Sequence, residues 1–142
     1  MTDDRAREIA LAMMAREGIA KALGIELEEA RIGYARIRMT VRADMLNGYG
    51  TAHGGIIFTI ADSAFAYACN SRDVATVAQG ASISFLAGPR ENEILVAEAS
   101  EIMIAGRSGS YSVVVTTSDG RDIATFHGLS RSIGGSALHH EA

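Results

Sequence analysis

The residues best suited to chemistry lie in one stretch, Asn47 to Asn70, which reads NGYGTAHGGIIFTIADSAFAYACN. Asp62 is the sharpest of them, because an acid inside an otherwise apolar helix loses hydration and is seldom kept there without a partner or a task. A carboxylate so placed can activate water or attack a carbonyl directly. Burial raises its proton affinity and nearby donors lower it. A purely structural alternative has Thr59, Ser63 or a backbone group satisfying the acid. Seven residues before Asp62 stands Gly55, with Gly54 ahead of it. Neither has a side chain to block approach, and amides of a first helical turn have no partner within the helix. At the positive end of the helix such amides suit the negative oxygen that develops on an attacked carbonyl. A plain structural turn uses the same two glycines. Asn47 and His53 flank this loop, where they can orient water, the acid or the loop itself, and His53 also fits a simple helix-start role.

If the stretch is helical, Gly55 and Asp62 lie about two turns apart on nearly one face, a rise of about 10 Å. A polarising donor and an attacking group must both approach one carbonyl within roughly 3 Å. One helix cannot easily supply both. The spacing therefore predicts a two-fold dimer with two shared sites, the glycine end of one helix facing Asp62 of the other.

Other chemistries find less support. His127, His139 and His140 show no metal-ligand spacing with Cys69, so no metal is expected. The phosphate-cradling GxxxxGK[ST] and GxGxxG contexts are missing, as is the GxSxG elbow of serine hydrolases. Cys69, the one cysteine, cannot form an intrachain disulfide and reads as a small core residue. A formal net charge of -4 offers no global attraction to nucleic acid or anionic membrane. A local basic site for a phosphorylated ligand stays compatible with it. The start, MTDDRAREIA, has acids where a signal peptide has bases. The longest apolar run, Gly54 to Cys69, is short of the ~20 residues of a membrane span and holds Asp62. A cytoplasmic protein is expected.

The elements that must position these groups follow from periodicity. With 142 residues, 48% hydrophobic and a single proline, the chain is long enough for a core and suits one domain, residues 1–142. Thr2 to Met14 reads as a capped helix and Ile19 to Leu23 as a second turn ending at Gly24, together a short helical lead. Strands follow at Ile25 to Glu29 and Tyr34 to Ala43, the latter alternating Ala35, Ile37, Met39 and Val41 against Arg36, Arg38 and Thr40. Those arginines read as a solvated strand face. After the central helix come strands near Val74 to Phe85, Ile94 to Ile104, Ser108 to Ser118 and Arg121 to Ile133, with Gly106 and Asp119-Gly120 at the turns. Gly134 to Ala142 reads as a frayed tail. A helix apolar on almost every side must be enclosed. An antiparallel sheet wrapped around it, an α+β fold, is the economical solution, and its edge strands invite a second copy.

The run MLNGYGTAHGGIIFTIADSAFAYACNS, Met45 to Ser71, resembles the signature of the phenylacetic-acid-degradation acyl-CoA thioesterases, a branch of the hotdog superfamily. The resemblance continues through Ile83-Ser84-Phe85-Leu86, through Gly106-Arg107 ahead of Tyr111, and through Phe126-His127-Gly128-Leu129-Ser130. It implies a curved antiparallel sheet around one long helix, a dimer with a continuous sheet, and pairing of dimers into tetramers. It implies hydrolysis of acyl-CoA, phenylacetyl-CoA or ring-hydroxylated relatives, to a free acid and CoA without metal or redox cofactor. By the same resemblance Asp62 is the catalytic acid, Gly55 with Gly54 the polarising helix start, and Asn47 and His53 the loop residues beside the thioester.

One departure from the family pattern bears on CoA. Where relatives carry Phe-Leu-Arg-Pro, this chain reads Phe85-Leu86-Ala87-Gly88-Pro89-Arg90. Arg90, Arg107 and Arg131 are therefore the candidates for phosphate contacts, since a guanidinium forks onto phosphate oxygens. Phe58, Phe65, Ile19 and Leu23 are candidate acyl-pocket residues, although each also suits the core. Two other readings stay open: a hotdog acyl-thioester hydratase or dehydratase, and a noncatalytic acyl-CoA-binding regulatory dimer.

Overall fold

The computed structural model describes residues 2–140; Met1, Glu141 and Ala142 lie outside the described residues. The elements are helices α1 (Asp3–Arg16) and α2 (Gly18–Leu23), strands β1 (Glu26–Arg31) and β2 (Tyr34–Thr40), helix α3 (Gly54–Cys69), and strands β3 (Thr76–Phe85), β4 (Ile94–Ala105), β5 (Ser108–Thr117) and β6 (Asp122–Ser132). Helix α1 starts where the Thr2 hydroxyl accepts from the Arg5 amide, with Asp3 and Asp4 in its first turn. It runs two residues past the end read from the sequence. The chain then breaks at Glu17, whose extended backbone joins α1 to α2, and α2 closes on Gly24 in the left-handed region at φ 67°.

All six strands form one antiparallel sheet in the order β1-β2-β4-β5-β6-β3. Alternation along each strand decides which side faces the core. In β2, Ala35, Ile37 and Met39 are buried, while Arg36 and Arg38 reach outward to Glu28, Glu29 and Glu26. Such exposed pairs add little stability, so the solvated-face reading of these arginines holds. Helix α3 lies on the inner face and touches every strand. Ile57, Ile60, Ala61, Ala64 and Phe65 of α3 share one core with Leu95 and Ala97 of β4, Val113 and Val115 of β5, and Phe126 of β6. Among the described residues no helix is long and apolar enough to cross a membrane.

Helix and sheet approach closely at Gly128, where a Cβ would lie 2.7 Å from the Phe65 ring. Phe65 is 1% exposed and sits with Tyr111 and Phe126 at centroid distances of 5.5 and 5.9 Å. It has nowhere to move. Gly128→Ala is expected to cost about 1–3 kcal/mol in urea unfolding, the usual penalty of an overfilled core; an unchanged midpoint would contradict this packing.

Two expectations need correction. Residues 134–140 do not fray: Ala137 and Leu138 are buried against Ile9 of α1. The Arg16 guanidinium donates to the carbonyl oxygens of Ala137 and Leu138 at 2.6 and 3.0 Å, and Asp73 accepts from the Ser136 hydroxyl and the Leu138 amide at 2.7 and 2.8 Å. The anchors of this strap lie far upstream, so its local composition concealed it. Nor is α3 enclosed on every side within one protomer. Gly55, Thr59, Asp62, Ala66 and Cys69 recur at helical spacing as a partly open stripe, and the edge strand β3 is exposed along most of its length.

Candidate active site

The loop ahead of α3 is built from its own polar groups. The Asn47 Oδ1 accepts from the amides of Tyr49 and Thr51 at 2.9 and 3.2 Å, and its Nδ2 donates to the Thr51 hydroxyl at 3.1 Å. Gly50 supplies the positive φ, 80°, that the turn requires. The side-chain oxygen of Asn47 and one bond from its amide nitrogen are thus engaged in shaping the loop. The His53 amide donates to the Met45 carbonyl, and the Ala52 amide to that of Pro89, both at 2.8 Å. These bonds set the angle at which the chain enters α3.

At the helix start the structure departs from the sequence reading. His53 is the N-cap: its Nδ1 accepts from the Gly55 amide at 2.9 Å, which places the proton of the neutral ring on Nε2. The Gly55 amide is therefore covered rather than free. The Gly54 amide has no partner among the described residues. A Cβ on Gly54 would lie 3.2 Å from the Phe85 ring, so the bare glycine lets β3 close over the helix start.

Asp62 sits on the open stripe of α3, half-buried, and receives no hydrogen bond among the described residues. The structural alternative is not realised, since the Thr59 hydroxyl donates instead to the Gly55 carbonyl at 2.8 Å. Burial holds the Asp62 carboxyl above the ordinary aspartate range. Cys69, further along the stripe, has its thiol pushed up to about 12 by burial.

The three arginines do not converge within one protomer. Arg90 is bridged to Thr51 beside the loop at the start of α3. Arg107 and Arg131 share the opposite corner: the Ser132 amide donates to the Arg107 carbonyl at 2.8 Å, and Arg131 pairs with Ser108 across β5 and β6. A cavity of about 210 Å³ opens at that corner, between the end of α3 and the β4–β5 turn, with Cys69, Arg72, Arg107, Tyr111 and Ser130 in its walls. Of the candidate acyl-pocket residues, Phe65 is core and Phe58 packs edge-on against Phe126 at 5.4 Å. Leu23 packs against the core, and Ile19 is exposed.

Residues 49–124, more than half of the chain, match the thioesterase superfamily. The chain is 40% identical over 131 residues to the acyl-coenzyme A thioesterase PaaI of Escherichia coli, covering 92% of this chain and 94% of that protein. The chain belongs to the thioesterase superfamily. The structure of the E. coli PaaI protein from the phenylacetic acid degradation operon aligns at a TM-score of 0.92 and 39% identity, over 94% of this chain and 97% of that one. A mutant structure of the phenylacetic acid degradation protein PaaI of Thermus thermophilus aligns at 0.79 and 32% identity, over 82% of this chain and 100% of that one. This superfamily member is accordingly an α+β enzyme of hotdog type and a thioester hydrolase.

For this thioesterase-superfamily chain, the sequence reading passed over one feature of the site region. The Tyr67 hydroxyl, on a side chain 1% exposed, donates to Glu17 Oε2 at 2.9 Å. Burial raises the Glu17 carboxyl above its usual range, the Tyr67 bond and Arg16 pull it down, and the Asp62 charge raises it. Only an acid at the junction of two helical runs hinted at this in the sequence.

Proposed function

We propose that this chain hydrolyses acyl-CoA thioesters, with phenylacetyl-CoA or a ring-hydroxylated relative as substrate, to a free acid and CoA. The observation that carries the reading is Asp62, a half-buried carboxylate on the open stripe of α3 with no hydrogen bond among the described residues. An acid that only fixed packing would be paired. As general base, Asp62 takes a proton from water while the water oxygen bonds to the thioester carbon and the carbonyl electrons move onto oxygen. The amides at an α3 start hold that oxygen; the substrate oxygen displaces the His53 ring from the Gly55 amide. The intermediate collapses, the C–S bond breaks, and the CoA thiolate leaves with its electron pair and is protonated in water.

Both groups act on one carbonyl only if they come from two protomers, because along one helix they are about 10 Å apart. The exposed edge of β3 offers the pairing surface. Phe85 and Leu86 are exposed at one end of β3 and Val77 and Val74 at the other. Antiparallel pairing of two β3 strands about a two-fold axis sets one end against the other twice. It makes a continuous sheet, six strands from each protomer, curved about both α3 helices. It also carries Arg107 and Arg131 of one protomer toward the start of α3, and Arg90, of the other, where CoA phosphates are to be held. Pairing of two dimers into a tetramer, and residence in the cytoplasm, complete the proposal.

The test is free-thiol release from a panel of arylacetyl-CoA and straight-chain acyl-CoA substrates. Turnover highest with the arylacetyl esters supports the reading. Tight binding of CoA esters with no thiol release would establish a binding module instead.

A further inference from the structure

Tyr49 stands at the tip of the loop that leads into α3, and its side chain is 95% exposed. The loop beneath it is firmly built. The Tyr49 and Thr51 amides donate to the Asn47 side chain, the Gly50 amide donates to the Asn47 carbonyl at 3.2 Å, and bridges from Leu46 to Ala52 and from Thr51 to Arg90 close the base. None of these bonds uses the phenol. On either side of Tyr49, Gly48 and Gly50 open onto space with nothing within 4 Å of where a Cβ would stand, so no neighbour shields the ring. The other aromatic side chains have packing partners: Phe58, Phe65, Tyr111 and Phe126 one another, Tyr67 the core, Tyr34 the Arg31 guanidinium, and Phe85 the bare Gly54. A turn tip asks for no more than a small polar residue. A bare ring on a rigid turn is instead pre-organised to meet a flat surface from outside.

The second observation is the charge beside it. Glu93 accepts from the Arg90 amide and from the Arg121 guanidinium at 2.7 and 2.5 Å, while the Arg90 guanidinium is exposed and has no hydrogen-bond or salt-bridge partner among the described residues. An aromatic ring and an uncommitted guanidinium thus share one loop junction. In the cavity at the far corner, Arg72 is spent on Glu101 at 2.5 and 2.9 Å and leaves Arg107 as the guanidinium without such a partner. The dimer proposed above brings that corner of one protomer toward this loop of the other. An aryl acyl group has a ring and no phosphate. A nucleotide has both, a flat base for stacking and phosphates for arginine forks.

We propose that Tyr49 is a substrate-binding residue whose ring stacks on the adenine of CoA, with Arg90 beside it on phosphate. The inference rests on acyl-CoA being the ligand of this site, and it assigns the residue that reads the nucleotide end. Adenine takes no part in the reaction, so contact with it strengthens binding and leaves the chemical step alone.

The test compares wild type, Tyr49→Ala and Tyr49→Phe on phenylacetyl-CoA and on phenylacetyl-pantetheine, which lacks the nucleotide. Tyr49→Ala is expected to raise KM for phenylacetyl-CoA roughly 5- to 30-fold with kcat little changed. Tyr49→Phe keeps the ring and is expected to recover most of that loss. On the pantetheine thioester the alanine variant and wild type should coincide. Calorimetric titration with free CoA reads the same loss without turnover, so it decides this inference even if neither thioester is hydrolysed. An equal loss on both thioesters, or an unchanged CoA affinity in Tyr49→Ala, would overturn it. So would a loss that accompanies dissociation of the dimer in sedimentation, which would make Tyr49 an interface residue.

Discussion

Asp62→Asn is expected to lower thiol release from the preferred acyl-CoA by roughly 100- to 10,000-fold, the range that loss of a positioned general base produces. The fold should survive, because the substitution keeps the shape of the side chain on a partly open helix face. Stability should move the other way from activity. The Asp62 carboxyl is raised by burial, so above its unfolded value the native state carries the desolvation of a charge. That burden is full above the folded value and is relieved as pH falls through it. Asparagine lifts the burden, so its melting temperature is expected to exceed that of wild type at pH 7, and the gap should close on mild acidification. A variant less stable than wild type across that window would show that the carboxylate is a structural partner, and an unchanged rate would remove it from the chemistry.

The second large effect is expected at the edge of the sheet. Val77 and Leu86 are exposed in one protomer, so Val77→Glu with Leu86→Glu disturbs little inside the fold. In the proposed dimer the two new carboxylates of one chain approach those of the other, and like charges on opposed strands repel. The doubly substituted protein should sediment as a monomer with its circular dichroism intact, and its turnover should drop to background. A monomer that still hydrolyses acyl-CoA would place the whole site within one chain.

Much of this architecture could be read before any coordinates, and the parts that could are those governed by short-range pattern. The period of two in Tyr34 to Ala43 and the apolarity of Gly54 to Cys69, interrupted at Asp62, gave the sheet and its helix, because burial of one face is all that these patterns need. Asp62 stood out against apolar neighbours for the same reason. Contacts between distant segments were illegible. Nothing near Ser136 announces that Asp73 binds it, and nothing near Glu17 announces Tyr67. The helix-start role of His53 was one of two readings left open, for a subtler reason. A histidine two residues before a glycine fits a loop ligand as well as a cap, and only the ring nitrogen at 2.9 Å from the Gly55 amide distinguishes them. The partly open stripe along α3 was hidden too, since its small residues look like core until the sheet leaves them uncovered.

Sharing of the site between protomers is most directly tested by mixing two inactive proteins. Asp62→Asn lacks the acid, and Gly55→Pro lacks the amide donor at a first-turn position where proline is tolerated. Unfolded together and refolded at equal amounts, half of the dimers are mixed, and each mixed dimer holds one site with both groups intact. About one quarter of wild-type turnover should return, as two-fold symmetry requires. Turnover that stays at the level of the separate parents, in a sample shown to contain mixed dimers, would contradict the shared site.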